Sequence, residues 1–150
     1  MSFKLPVFGN LNKQKELTEF TRTLGLLIGA GVPVVDSLNI SVESVNNSLY
    51  QDSIKKAARF VEKGGALSDT LSTDTNFPPI VSQMIRVGEE TGKLDDVLTK
   101  LAQYFENEVD RLLKNLTSAL EPIIMIVLGV LVMFLILSII TPIYKLTSSF

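Results

Sequence analysis

From Pro122 to Tyr144 the chain carries no charged residue, and almost every side chain in that run is apolar. A bilayer core about 30 Å thick needs roughly 20 apolar residues in a helix. Within lipid each backbone amide must be satisfied inside its own segment, so a spanning segment has to be helical. Most positions from Ile123 to Ile140 are Leu, Ile, Val or Phe, each favourable by about 0.3–0.6 kcal/mol at the membrane centre. Apolar residues cover every face of this helix, which leaves no polar face for water and argues against a core helix of a soluble protein. The run therefore reads as a membrane span. The residues ahead of it are mixed-charge and suit a water-soluble domain.

Composition narrows what that domain does. The chain has 150 residues, no Cys, no His and a formal net charge of −2. Without Cys there are no disulfides and no thiolate metal sites. Without His the commonest general base and the commonest transition-metal ligand are missing, and neither a Ser-His-Asp nor a Cys-His arrangement is available. No catalytic residue and no cofactor is expected. The charge balance carries no nucleic-acid footprint.

The soluble part reads as all helix, because apolar and polar residues never alternate long enough for a strand. Leu17, Phe20, Leu24, Leu27 and Ile28 recur at helical spacing between Lys13 and Ala30. Gly31 supplies a stop and Pro33 suits the first turn of a second helix, which runs to about Val45. A third helix is predicted over Ser48 to Lys63, burying Ile54, Ala57, Ala58 and Val61 and ended by Gly64 and Gly65. Leu67 to Leu71 makes a short fourth, followed by a polar loop over Ser72 to Asn76. Phe77-Pro78-Pro79 opens a fifth helix, with Val81, Met84, Ile85 and Gly88 on one face and Gly92 at its end. The sixth begins near Lys93 with a stripe of Leu94, Leu98, Leu101, Phe105, Val109, Leu112, Leu116 and Leu120. Asp96 with Lys100, and Asp110 with Lys114, are spaced for ion pairs on its other face. That stripe leads directly into the apolar run, so one long helix is expected, half soluble and half spanning. Pro122 deletes one of its hydrogen bonds at the border.

The organisation expected is an apolar leader over 1–12, a helical domain over 13–120, a membrane helix over 121–144 and a short tail over 145–150. The leader is too short to span and suits either the bundle surface or the lipid interface. Arg111 and Lys114 precede the span and Lys145 follows it, so the positive-inside bias favours a cytoplasmic bundle.

Several groups stand out beyond their structural use. Gly25 and Gly29 form a small-xxx-small pair, suited to close approach of another helix inside the bundle or between subunits. Glu89, Glu90, Asp95 and Asp96 flank Gly92; four carboxylates around a turn suit a hard cation, but no calcium-loop spacing is present and helix-end electrostatics accounts for Asp95 and Asp96. Lys55, Lys56, Arg59, Glu62 and Lys63 form a small charged face, read as solvated surface. Gly129 and Ser138 are the small residues of the span; single small residues are common in spans and need no specific role, and the other reading is that they mark where another membrane helix packs.

Taken in order, Phe20-Thr21-Arg22-Thr23-Leu24, Gly31-Val32-Pro33, the run GGALSDTL from Gly64 to Leu71, Phe77-Pro78, the run MIRVGEETGKL from Met84 to Leu94, and Leu120-Glu121-Pro122 before the span resemble a known family. It is that of the F-type inner-membrane platform proteins of type II secretion systems and type IV pilus machines. The resemblance implies a six-helix cytoplasmic bundle without a catalytic site. It implies as partners an assembly ATPase, pilin or pseudopilin subunits and other inner-membrane machine proteins, while the apolar run implies membrane lipid, the lone span with its apolar leader suggests a homo-oligomer with a second copy of the chain, and the charge balance no nucleic acid. Gly31, Pro33, Gly88, Gly92, Glu121 and Pro122 fall on its motif positions, with backbone shape and helix contact as their implied roles. Glu89 is the charged motif residue best suited to touch a partner, with Gly25, Gly29 and Gly129 as further contact candidates. Family members carry two such modules and three membrane helices, so this chain resembles their C-terminal half. A tail-anchored adaptor or signalling protein, binding a soluble partner through its bundle, is the other class that fits the same residues.

Overall fold

The computed structural model describes residues 6–149, the side chain of Val7 excepted. Among them there are six α-helices and no strand: α1 (Pro6–Gly29), α2 (Val34–Ser41), α3 (Ser48–Glu62), α4 (Leu67–Ser72), α5 (Pro79–Thr91) and α6 (Leu94–Thr147). A 3-10 turn at Val42–Ser44 follows α2. Two compact units divide the chain after Asp110.

In the first unit all six helices contribute to one core. Leu17, Phe20 and Leu24 come from α1, Leu38 from α2, Ile54 and Ala57 from α3, Leu67 and Leu71 from α4, Val81 and Ile85 from α5, and Leu98, Leu101 and Phe105 from α6. Each large side chain so buried contributes about 1.5–3 kcal/mol relative to exposure. Phe77, in the loop ahead of α5, closes the core with its ring 5.5 Å from Phe20 and 5.6 Å from Tyr50. That loop is tied to α3 by hydrogen bonds. The Tyr50 hydroxyl donates to the Asn76 carbonyl at 3.1 Å, and Asn76 Nδ2 donates to Ser53 Oγ at 3.0 Å. Burial, with Glu16 and Asp74 nearby, pushes the Tyr50 hydroxyl up to about 12.

Helix boundaries follow the glycines and prolines. Gly31 adopts φ +88°, a left-handed conformation that side chains with a Cβ resist. There the Val32 amide donates to the Leu27 carbonyl at 3.0 Å and the Gly31 amide to Ile28 at 3.0 Å, the paired closure that satisfies the last carbonyls of a helix. α5 also ends at a left-handed glycine, Gly92, φ +70°, where the Gly92 and Lys93 amides both donate to the Gly88 carbonyl.

Five details differ from expectation. Helix α1 starts at Pro6 rather than Lys13, because proline fits the first turn of a helix, where its missing N–H is not needed. Residues 6–12 of the leader are therefore helical, and the rest of that leader, residues 1–5, lies outside the described residues. Pro33 stands at the N-cap of α2, one residue ahead of the first turn. Helix α2 gives way at Ser41 to the 3-10 turn instead of running to Val45. The hydroxyls of Ser41 and Ser44 donate to the Ser37 and Ser41 carbonyls, both at 2.7 Å, and such back-bonding tightens or bends the last turn. Finally, the apolar stripe of α6 is buried only from Val97 to Phe105. Among the described residues neither Asp96–Lys100 nor Asp110–Lys114 forms an ion pair. Pairs of this kind are worth a few tenths of a kcal/mol when exposed, too little to fix two long side chains.

The second unit is the rest of α6 and the residues after it. The helix runs on through Glu121, Pro122 and Pro142. It is long and apolar enough to cross a membrane, and the most apolar part has none of its residues buried.

Candidate functional site

The corner where α4, α5 and the start of α6 meet holds the largest group of the residues singled out in the sequence. Helix α4 begins at Leu67 behind Ala66, whose side chain has no atom able to cap it. The first amides of a helix need acceptors, and here Leu67 and Ser68 are buried, 1% and 2% exposed. Glu89, on α5, supplies them. Its Oε1 accepts from the Leu67 amide at 2.6 Å, and its Oε2 accepts from the Ser68 hydroxyl at 2.6 Å and the Ser68 amide at 3.3 Å. A carboxylate at a helix N-terminus is favoured by the dipole as well as by the hydrogen bonds. Beside it Arg86 pairs with Asp69 at 3.2 Å, both exposed, so this pair adds little. Ala66, Ser68, Asp69, Arg86, Glu89 and Glu90 line an open depression of about 290 Å³.

One residue before Glu89, Gly88 lets α5 and α6 touch. A Cβ there would stand 2.9 Å from the Leu94 Cα and 3.3 Å from the Val97 Cβ. Because the nearest atom is backbone, a larger residue forces the two helices apart. Gly88→Ala is expected to destabilise the bundle by about 1–3 kcal/mol, although Ala is favoured over Gly in a helix by about 1 kcal/mol. Urea unfolding of the detergent-solubilised chain measures it, and an unchanged midpoint would remove the close-approach role.

The small-xxx-small pair of α1 reaches the same turns of α6. A Cβ on Gly25 would lie 3.1 Å from the Leu98 Cβ and 3.5 Å from the Thr99 amide nitrogen; one on Gly29 would lie 3.7 Å from the Asp95 Cβ. Arg22, also on α1, pairs with Glu106 at 3.0 Å. The first two turns of α6 are thus held by glycines from two helices, and the pair's contact is intramolecular. Asp95 and Asp96 occupy the first turn of α6, where negative charge is favoured.

Glu89, Glu90, Asp95 and Asp96 do not converge on a common point. Among the described residues no group of three acidic side chains is placed to hold a metal, and both oxygens of Glu89 are committed to α4. Gly31 and Pro33 lie at the α1–α2 turn, outside this corner, and a Cβ on Gly31 would meet nothing within 4 Å. Glu121, Pro122 and Gly129 belong to the second unit, are exposed, and a Cβ on Gly129 would also meet nothing within 4 Å. Sequence reasoning marked Glu89 but not its use; the missing side-chain cap at Ala66 was the available signal that an acceptor had to come from elsewhere.

The caps and close approaches of this corner orient α4, α5 and α6 relative to one another. Residues 20–142 match the family model described as type II secretion system (T2SS), protein F. The type IV pilus assembly protein PilC of Thermus thermophilus is 40% identical over 97% of this chain and 36% of its own length. PilC of Pseudomonas aeruginosa is 40% identical over 95% of this chain and 38% of its own length. The type II secretion system protein F of the same organism is 32% identical over 95% of this chain and 35% of its own length. The chain therefore spans little more than a third of these relatives. With the family model covering most of the sequence and both kinds of relative aligned almost end to end with it, this chain belongs to the type II secretion system protein F family.

Proposed function

We propose that this chain is a non-enzymatic platform component of the inner membrane in a type IV pilus or type II secretion machine. Its bundle lies in the cytoplasm and its apolar helix spans the membrane. There it couples an assembly ATPase to the polymerisation of pilin or pseudopilin subunits. Other inner-membrane machine proteins, membrane lipid and a second copy of the chain complete its partners. The observation that carries this reading is the continuity of α6, a 54-residue helix whose start lies in the core of a folded bundle and whose later part is apolar on every side. Membership of a family that includes pilus assembly proteins supports it.

In this reading α6 is a semi-rigid rod. The ATPase acts on the bundle, and a packed core moves as a body rather than deforming. The helix then carries that displacement toward the membrane, which requires the junction at Glu121-Pro122 to resist bending. Pro122 leaves one carbonyl without its amide partner, but a single missing bond within a long helix does not melt it, and the helix continues past it.

Inserting Gly-Gly between Glu121 and Pro122 tests the mechanism. Two extra residues rotate the membrane half of the helix by about 200° around its axis, and each glycine weakens the helix by about 1 kcal/mol. Pilus or pseudopilus assembly is expected to be lost while the chain still accumulates in the membrane. An unchanged urea midpoint of the detergent-solubilised variant is the control for a general folding defect. Normal assembly with Gly-Gly at the junction would remove the rod.

A further inference from the structure

Among the described residues the apolar run contains one residue whose hydroxyl makes no hydrogen bond and whose carbonyl lacks its regular helical donor. Thr117, Thr141 and Thr147 each satisfy their hydroxyls on a carbonyl of the preceding turn, at 3.0, 2.7 and 3.0 Å. Among the described residues the Ser138 hydroxyl makes no such bond. Its carbonyl also lacks the donor that a regular helix would give it, for a second, independent reason. The helical donor due to it is the amide of residue 142, and Pro142, inside α6, has none. Ser118 stands in the same relation to Pro122, but it precedes the apolar run. Ser138 is exposed on α6 and lies deep, about 7.5 Å along the helix from Met133, the middle of the Pro122–Tyr144 run. Half the hydrocarbon thickness is about 15 Å. Lipid chains offer neither a donor nor an acceptor, so this pair of groups is costly facing lipid.

We propose that Ser138 is the centre of a parallel contact with the membrane helix of a second copy of this chain. The residue is self-complementary, carrying one free donor and one free acceptor. Copies inserted in the same direction hold Ser138 at the same depth. A two-fold axis between the helices then lets each hydroxyl donate to the other copy's freed carbonyl, the isologous arrangement of closed dimers. Serine is also small enough for the backbones to approach. Thr141 and Lys145 follow at three and seven residues, so this face is the polar side of the span's second half. Gly129, nine residues earlier, points to the opposite side and takes no part. The inference rests on the membrane-spanning reading above and adds to it which face pairs, and with what.

The test uses the full chain in lipid vesicles. The sequence contains no Cys, so single cysteines report their own position. Oxidative cross-linking is expected for Leu131→Cys and Leu135→Cys, which flank the Ser138 side, and not for Gly129→Cys or Ile136→Cys. Ser138→Ala removes both donors, and Pro142→Ala gives the helix back its amide and withdraws both carbonyls. Each is expected to weaken dimerisation, measured by energy transfer between labelled chains, about five- to ten-fold. Because each variant removes the same two bonds, the double variant is expected to be no weaker than either single one. Cross-linking on the Gly129 side, no dimer at all, or single effects that multiply would each overturn the proposal. Release of the chain from vesicles by alkaline carbonate would instead overturn the membrane reading itself, so the two failures are told apart.

Discussion

Replacing Phe20 with alanine is expected to cost the bundle about 3–5 kcal/mol, the range for deleting a fully buried aromatic ring from a close-packed core. Phe20 has no exposed surface, and its ring lies 5.5 Å from that of Phe77. Two losses combine. The ring's own burial is forfeited, and the void left behind cannot collapse, because its neighbours are fixed from several directions. Leu17 and Leu24 are on the same helix, and Phe77 is held by a loop that Tyr50 and Asn76 tie to α3. Domains of this size hold only about 5–15 kcal/mol in total, so the variant sits near the edge of unfolding. The chain has no Trp, which leaves tyrosine fluorescence as the natural signal. Tyr50, in the bundle and in contact with Phe77, reports directly on the affected region. The urea midpoint of the detergent-solubilised chain should fall sharply. Phe8→Ala, at a site 52% exposed, should shift it by less than about 0.5 kcal/mol. Equal effects would mean that the ring at residue 20 is not a core residue.

Phe20 was legible as a core residue because it recurs with Leu17 and Leu24 at helical spacing, and the whole α-helical order was legible for the same kind of reason. Gly31 and Gly92 stop helices, Pro79 starts one, and the apolar run at the end admits little but a helix. What the sequence concealed is contact over long separations. The pair Gly25 and Gly29 announced that something approaches α1 closely, but not that it is the first two turns of α6. Glu89 announced a charge in excess of what its turn requires, and the reason lies more than twenty residues earlier in the chain, at Leu67 and Ser68. Periodicity reports which face of a helix is buried; it does not report against which other helix. The start of α1 was hidden for a different reason: Pro6, within the stretch expected to be an apolar leader, is the first residue of α1, and a proline at a helix start and one in a loop look alike in sequence.

Glu89→Ala is expected to be the second most damaging substitution, at about 3–4 kcal/mol, and its effect should be local in origin. Hydrogen bonds to a charged group contribute about 1.5–3 kcal/mol, and a buried donor left without a partner costs about 1–3 kcal/mol. The alanine variant strands the Leu67 amide, at 2.6 Å from the lost oxygen, and both donors of Ser68. No side chain at Ala66 can take over. Glu89→Gln separates charge from shape. Its amide oxygen still accepts one bond and its amide nitrogen can donate to the Ser68 hydroxyl, so a cost of about 1–2 kcal/mol is expected, the charged share of the capping. Hydrogen exchange locates the damage. With alanine at residue 89, amides of α4 should exchange faster in conditions where those of α1 and the buried part of α6 remain protected. A helix of only six residues depends on its capping more than a long one does. A partner-binding role for Glu89 makes a different demand: the same substitution would then weaken assembly of the machine while leaving α4 protected. If Ala and Gln at residue 89 both left the midpoint and the exchange of α4 unchanged, the cap would be incidental and the carboxylate would be kept for a contact outside the chain.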